Sequence, residues 1–301
     1  MSTSEDFTRL LLIGGDGQIG SALARQLPQV FPQTTLLTTT REAAQNHVDL
    51  TQPHTAIKII RDYAPDFIIN AAAYTAVDRA EQEPALAQQV NGVAPGILAE
   101  EAKRCGAMFI HYSTDYVFDG KKRTPYVESD ATHPRNEYGL SKRAGEIAIQ
   151  QMGADALILR TSWVYGLTGR NFLLTMRHLA NEHDTLRIVD DQIGVPNDSE
   201  ALAAATAQLV ALGKTRLREH AGLYHLSASG QTSWFGFAEA IFAALPAESK
   251  RPQLIPITTA EYPLPAARPA YGVLSSERLQ QTFGVSLPPW QTMLEACLGR
   301  G

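Results

Sequence analysis

Tyr138 and Lys142 stand four residues apart in the run Tyr138-Gly139-Leu140-Ser141-Lys142. On a helix that spacing places both side chains on one face. A free phenol is a weak acid with a pKa of about 10, and a neighbouring ammonium favours its ionised form. A proton donor works better as its pKa approaches the working pH. The pair therefore has the chemistry of a proton donor and the cation that tunes it. A second cluster upstream, Ser113-Thr114-Asp115, offers two hydroxyls and a carboxyl. A third, Gly14-Gly15-Asp16-Gly17-Gln18-Ile19-Gly20, has glycines at every third position. Glycine permits positive φ and close backbone approach, while the free N–H groups and dipole of a helix N-terminus favour an anion. Such a turn admits a dinucleotide pyrophosphate at Gly14, Gly17 and Gly20.

Each cluster alone has a plainer reading. Tyr138 would be a half-buried helix residue, Lys142 an exposed charge, Thr114 a strand end that caps the next turn, and the glycines an ordinary turn. Together, in this order, they describe hydride transfer between a nicotinamide and a carbonyl.

The elements that must position them follow from the pattern. Short apolar runs alternate with helix-like segments in the first half, which reads as repeated βαβ units and a parallel sheet. Strands are expected at residues 10–13, 35–39, 66–70, 108–112 and 156–160. Helices are expected at 21–27, stopped near Pro28, and at 55–63, 84–104 and 138–151. The glycine turn then follows the first strand and opens the first helix. Thr114 and Asp115 end one strand and residues 70–75 another, and open parallel sheets bind ligands beyond such ends. After about Gly166, helical stretches at 172–181, 200–213 and 235–244 alternate with loops rich in Pro, Gly and Ser. The chain is thus expected to be α/β, a Rossmann-type doubly wound parallel sheet over residues 1–166 with a smaller C-terminal substrate-binding portion over 167–301. The boundary is soft, because C-terminal segments can return to the first sheet.

The second strand runs into Thr38-Thr39-Thr40-Arg41. An acid at that point binds the adenosine ribose of NAD, and none is present. Hydroxyls and Arg41 suit a 2′-phosphate, which favours NADPH with NADH as the alternative; a solvated surface charge is the plain reading of Arg41. Asp49 and Leu50 follow, where an acid could cover the adenine edge.

The 301 residues suffice for a large buried core. The net charge of -5 offers no global basic field for nucleic acid or an acidic membrane. Two distant cysteines, Cys105 and Cys297, make no disulfide framework, so a reducing cytoplasm is the simplest home. The polar N-terminus, residues 1–9, does not read as a secretory signal, and the alanine-rich stretch 201–212 is too short to span a bilayer.

These motifs resemble the extended short-chain dehydrogenase/reductase superfamily and, within it, the dTDP-4-dehydrorhamnose reductase family. The likeness covers nearly the whole chain. It rests on residues 14–20, 70–78 (Asn-Ala-Ala-Ala-Tyr-Thr-Ala-Val-Asp), 111–118 (His-Tyr-Ser-Thr-Asp-Tyr-Val-Phe) and 138–142. It continues through 160–165 (Arg-Thr-Ser-Trp-Val-Tyr), 191–196 (Asp-Gln-Ile-Gly-Val-Pro), 222–226 (Gly-Leu-Tyr-His-Leu) and 267–269 (Ala-Arg-Pro). The resemblance implies transfer of hydride from NAD(P)H to the C4 ketone of dTDP-4-dehydro-L-rhamnose, giving dTDP-L-rhamnose. It implies that Thr114 polarises that carbonyl, that Asp115 contacts the sugar, that Tyr138 protonates the C4 oxygen, and that Lys142 holds the nicotinamide ribose and tunes Tyr138. Gly17, Gln18 and Ile19 would line the pyrophosphate, Ala73, Tyr74, Thr75 and Tyr112 the rest of the cofactor, Trp163 a wall of the sugar pocket, and Asn171 and Arg268 the nucleotide phosphates. A core aromatic is the plainer reading of a lone Trp.

Two departures stand out. Some members place an acid just after the third glycine for a metal at a subunit contact; here Ser21-Ala22 stands there, and Glu200 matches only another such acid. A complete Mg2+ site is therefore not expected, while a homodimer stays open. The ribose position also lacks the Asp of NAD-preferring members. Sugar-nucleotide dehydratases share the fold, the Tyr and the Lys, but use an acid directly after Thr-Asp; Tyr116 occupies that place here and cannot act as a carboxylate base. Other nucleotide-sugar reductases or epimerases, and non-catalytic dinucleotide-binding regulatory subunits, are the alternatives.

Overall fold

The computed structural model describes residues 7–300 apart from Ala247. The polar N-terminal run therefore lies outside the described residues up to Asp6. Strand β1 (Arg9–Ile13) is buried from Leu10 onward. Side chains alternate across a strand. Leu10 and Leu12 join Leu23 and Leu27 of helix α1 (Gln18–Val30), while Leu11 and Ile13 pack with Ile60 of α2 (His54–Tyr63) on the other face. A strand buried on both faces reads as a continuous apolar run, as parallel sheets require.

The chain continues through β2 (Thr35–Thr39) and β3 (Phe67–Asn70) to two one-turn helices, α3 (Val77–Ala80) and α4 (Pro84–Ala87). A π-turn (Gln88–Val93) leads directly into α5 (Ala94–Cys105). Then come β4 (Met108–Thr114), a 3-10 turn (Asp115–Val117), α6 (Glu137–Met152) and β5 (Ala156–Thr161). The second half holds β6 (Val164–Tyr165), α7 (Phe172–Glu182), β7 (Thr185–Val189), β8 (Ile193–Gly194), β9 (Asn197–Asp198), α8 (Ser199–Ala211), α9 (Gly213–Glu219) and β10 (Gly222–His225). It closes with β11 (Thr232–Ser233), α10 (Trp234–Ala244), β12 (Gln253–Ile257), α11 (Glu277–Phe283) and α12 (Trp290–Leu298).

Six strands form one parallel sheet in the order β10-β5-β4-β3-β1-β2. From β1 the chain moves outward to β2, then crosses back to β3. The crevice at that reversal is where doubly wound sheets hold ligands. Register pairs Ile13 with Asn70, so the glycine turn and residues 70–75 leave the sheet side by side. The edge strand β10 comes from the second half and pairs with β5. Three small two-stranded pairings, β12 with β7, β11 with β8 and β6 with β9, sit outside the main sheet.

Two elements differ from expectation. Helix α1 does not stop near Pro28 but runs through it to Val30, with Phe31 N–H closing on the Leu27 carbonyl at 2.9 Å. Pro28 gives up the N–H that would have met the Ala24 carbonyl, but its fixed φ suits a helix and the turn still closes after it through Phe31. The helix expected at 84–104 is interrupted by the π-turn at Gln88–Val93.

Candidate active site

Gly14 has φ +82, and a Cβ there would lie 2.6 Å from the Ala72 backbone nitrogen. Only glycine fits that left-handed, crowded position. A Cβ on Gly20 would come within 1.9 Å of the Gly14 carbonyl, so α1 can press onto the turn only without one. Gly17 caps α1 with no side-chain bond, which leaves the helix start to a ligand rather than to a capping side chain. A dinucleotide pyrophosphate fits this bare backbone cradle. Gln18 braces it from the second half: its Nε2 reaches the Val164 carbonyl at 3.5 Å and its Oε1 accepts from Asn171 Nδ2 at 3.0 Å. Ile19 is partly buried against the core.

Beyond β2, Thr39 is turned inward, donating to the Leu12 carbonyl at 3.2 Å. The Arg41 side chain is 70% exposed, with Glu42 3.9 Å away. Asp49 Oδ1 accepts the Thr51 N–H at 2.9 Å, closing an Asx turn over buried Leu50. Past β3, Ala73 is half-buried and Thr75 exposed. Tyr74 is clamped at its backbone by Asn91, whose Oδ1 accepts the Tyr74 N–H and whose Nδ2 donates to the Tyr74 carbonyl, both at 2.9 Å. The Tyr74 hydroxyl donates to Glu83 Oε2 at 2.7 Å. The Asn91 Nδ2 also reaches Ser141 Oγ at 3.1 Å, tying this segment to α6. Sequence reasoning missed Asn91. The available signal was Asn91-Gly92, two poor helix formers in the middle of an otherwise good helix.

Helix α6 begins at Asn136, whose Oδ1 accepts the Gly139 N–H at 2.7 Å. Its first turn presents Tyr138, half-buried with its ring edge-to-face on Tyr116 at 5.5 Å. Burial pushes the Tyr138 phenol up to about 12, against a hydrogen bond with Thr114 that pulls it down. The expected downward pull of Lys142 on Tyr138 is thus corrected: burial dominates, and the net shift is upward. One turn on, Lys142 is buried, donating from Nζ to the Tyr112 carbonyl at 2.7 Å and facing His111 Nε2 at 3.3 Å. Burial lowers its ammonium to about 8, with Glu146 opposing. What Tyr112 offers the cleft is therefore its backbone, because its phenol points into the core and meets Thr206 Oγ1 at 2.5 Å. Strand alternation explains this: His111 and Ser113 face α6, and Tyr112 faces α8.

Thr114 Oγ1 accepts the Tyr116 N–H at 3.2 Å and donates to Asp115 Oδ1 at 3.1 Å. Asp115 is buried, and its Oδ2 has no partner. Burial pushes that carboxyl up to about 7, despite the Thr114 hydrogen bond. Ser113 donates to Glu146 Oε1 at 2.6 Å, and Glu146 is gripped at both oxygens by buried Arg160 at 2.7 Å. This buried ion pair fastens α6 to β5 beneath the tyrosine.

On the other wall, Trp163 adopts φ +43 and stacks on Trp234 with centroids 3.5 Å apart and planes 8° from parallel. Asn171 and Arg268 already have partners within the chain. Asn171 caps α7 through its Oδ1, and its Nδ2 meets Gln18, Gly166 and Thr168. Arg268 faces Asp78 with both Nη atoms, at 2.8 and 2.7 Å. Both tie the second half of the chain to the first, Asn171 to Gln18 and Arg268 to Asp78. Glu200 is likewise engaged within the chain, by Arg25 and by Gln26 Nε2 at 2.6 Å. The described residues include no group of three or more His, Cys, Asp or Glu side chains arranged to hold a metal, and a carboxylate already paired with a guanidinium does not suit one.

The sequence matches the family described as RmlD substrate binding domain over residues 8–301. It is 45% identical to a dTDP-4-dehydrorhamnose reductase from Burkholderia thailandensis, covering 96% of this chain and 98% of that protein. The Escherichia coli enzyme of the same name is 42% identical, with 96% of each chain covered. Among solved structures, dTDP-4-dehydrorhamnose reductase from Bacillus anthracis in complex with NADP superposes with a TM-score of 0.88 at 31% identity, covering 98% of this chain and 100% of that one.

Proposed function

The chain belongs to the RmlD substrate binding domain family, and from that premise we infer its reaction: it reduces the C4 ketone of dTDP-4-dehydro-L-rhamnose with NAD(P)H, giving dTDP-L-rhamnose. The observation that carries the reading is the stack of Thr114, Tyr138 and buried Lys142 beside a glycine turn left open for a pyrophosphate. NADPH, when bound, supplies the hydride. Gly14, Gly17, Gln18, Ile19 and Gly20 would hold its pyrophosphate, residues 73–75 its middle, and Lys142 its ribose.

Tyr138 is protonated throughout the neutral range, so its O–H is available to the C4 oxygen as negative charge develops there. Thr114 has one hydroxyl proton, for which Asp115 Oδ1 and the Tyr138 oxygen compete. Turning it toward the ketone would polarise the carbonyl and leave Asp115 to bind a sugar hydroxyl with its unpartnered Oδ2. Tyr116 follows Asp115 with a phenol, which favours simple reduction over elimination of water. The division of labour near residue 166 belongs to the same reading, with residues 167–301 as the sugar-nucleotide side and β10 as their contribution to the main sheet. A cytoplasmic setting suits the two free cysteines. Among the described residues no helix is long and apolar enough to cross a membrane.

The test is to incubate the protein with dTDP-4-dehydro-L-rhamnose and follow loss of absorbance from NADPH and NADH separately. Sugar-dependent oxidation of either is expected; none with both would overturn the assignment.

A further inference from the structure

His111 is buried on β4 between Asn70 and Lys142. Asn70 Nδ2 lies 3.0 Å from His111 Nδ1, and Lys142 Nζ lies 3.3 Å from Nε2. The other end of the Asn70 amide is committed, because its Oδ1 accepts the Ala72 N–H at 3.2 Å. The amide therefore turns its NH2 to the ring. An NH2 group only donates, so Nδ1 must accept, and a neutral imidazole that accepts at Nδ1 carries its proton at Nε2. Burial and the Lys142 charge hold His111 well below the ordinary imidazole range, so the ring is neutral. Its Nε2–H then points at Nζ. An amine can accept that bond, whereas an ammonium has no lone pair to offer.

We propose that His111 is a positioning residue for Lys142, and that its Asn70-fixed tautomer lowers the pH at which Lys142 gives up its proton. The inference deepens the reading of the reductase site and rests on it for the role of Lys142. The Tyr112 carbonyl at 2.7 Å takes one Nζ hydrogen in either state, so it anchors the lysine without choosing its charge. On its own helix Lys142 shares a stripe with Tyr138 and Glu146, and Glu146 favours the ammonium. That carboxylate is held by Arg160 of β5, by Arg143 of α6 and by the Ser113 hydroxyl of β4. Asn91 of the π-turn, which is not titratable, donates to Ser141 Oγ of α6 and packs its carbonyl on Gly145, and Asp115 stands at the end of β4. Among the described residues, His111 is the titratable side chain within hydrogen-bond distance of Nζ.

Two measurements test this without the sugar, so their failure is distinct from failure of turnover. With 15N-labelled histidine in the whole protein, the His111 resonance, identified by its loss in His111→Gln, should report the Nε2–H tautomer at pH 7 and pH 9. The Nδ1–H form would overturn the proposal. NADPH affinity should also fall as pH rises and Lys142 loses charge. In His111→Gln, whose amide oxygen can accept from an ammonium, the midpoint of that fall should move upward by about one pH unit. A merely structural role would instead weaken binding equally at every pH and lower the melting temperature with the midpoint unmoved, and that result would refute the proposal. Should the variant not fold, the tautomer is read on the wild type by assigning His111 through its β4 neighbours.

Discussion

In the proposed site, the cofactor side and the sugar side of the cleft are built by different means. The cofactor side uses backbone: a bare helix start, a glycine at φ +82 and a helix pressed onto it, all within residues 14–20. The sugar side uses side chains that meet across long stretches of chain, as Trp163 meets Trp234 and Asp78 meets Arg268. A backbone site tolerates few substitutions and needs few partners. A side-chain site can be retuned one residue at a time. Tyr138 and Lys142 stand between the two, on the helix that both sides touch.

The largest effect should come from that middle. Tyr138→Phe removes one oxygen from a half-buried ring and leaves the packing on Tyr116 in place. Turnover should drop by about 10²–10⁴, the usual worth of a positioned acid, with NADPH affinity nearly unchanged. Steady-state rates paired with a fluorescence titration would check this, and wild-type turnover would remove Tyr138 from the chemistry. Gly14→Ala should act next, and on the cofactor side alone. Its methyl would sit 2.6 Å from the Ala72 nitrogen at a φ that alanine resists, a strain of about 1–3 kcal/mol. NADPH binding should be largely lost and the melting temperature lowered by a few degrees. Retained affinity would mean that the turn does not carry the pyrophosphate.

Arg268→Met sharpens the contrast from the other side. It leaves the Asp78 carboxylate without its bidentate partner and frees the loop that Asn136 also holds through the Ala267 carbonyl at 2.7 Å. KM for the sugar nucleotide should rise by about tenfold, equivalent to ~1.4 kcal/mol, with NADPH affinity nearly constant. An equal loss on the cofactor would break the division between the two sides. The pH profile reports on the lysine. Its ammonium is lowered to about 8, so the charge is present below that pH and lost above it. The kcat/KM ratio should therefore hold through neutral pH and fall as pH rises past about 8; a ratio still climbing at pH 9 would show that the charge is not needed.

The same contrast explains what could be read from residue order. Strands β1 to β5 were legible because buried parallel strands leave apolar runs such as Leu10-Leu11-Leu12-Ile13. The glycine turn and the Tyr138–Lys142 pair were legible because their spacing is local. The π-turn was not, since Pro84 through Cys105 reads as unbroken helix until Asn91 is seen to clamp both backbone atoms of Tyr74. Nor was the fate of Arg268, because a guanidinium suits a phosphate and a carboxylate equally well. Only the fold brings Asp78 to it across 190 residues. The resemblance puts Tyr112 at the cofactor; strand alternation sends its ring the other way and leaves its carbonyl to hold Lys142.

The smallest expected effect tests a cofactor-side residue that would act through its side chain. Arg41 is 70% exposed, with Glu42 3.9 Å away and Asp49 close enough to feel its charge. Among the described residues that end β2, the threonines offer little in its place, since Thr39 is turned inward to the Leu12 carbonyl. A solvated guanidinium loses little when it meets a 2′-phosphate, and it gains little because water and salt screen the pair. Arg41→Ala should therefore weaken NADPH by only a few-fold and leave NADH unchanged, with the difference shrinking as salt is raised. Titrations of both dinucleotides at low and high ionic strength would show it. Equal weakening of the two would place Arg41 away from the 2′ position and leave cofactor choice to backbone shape, which would make the cofactor side even more uniform than the comparison with the sugar side requires.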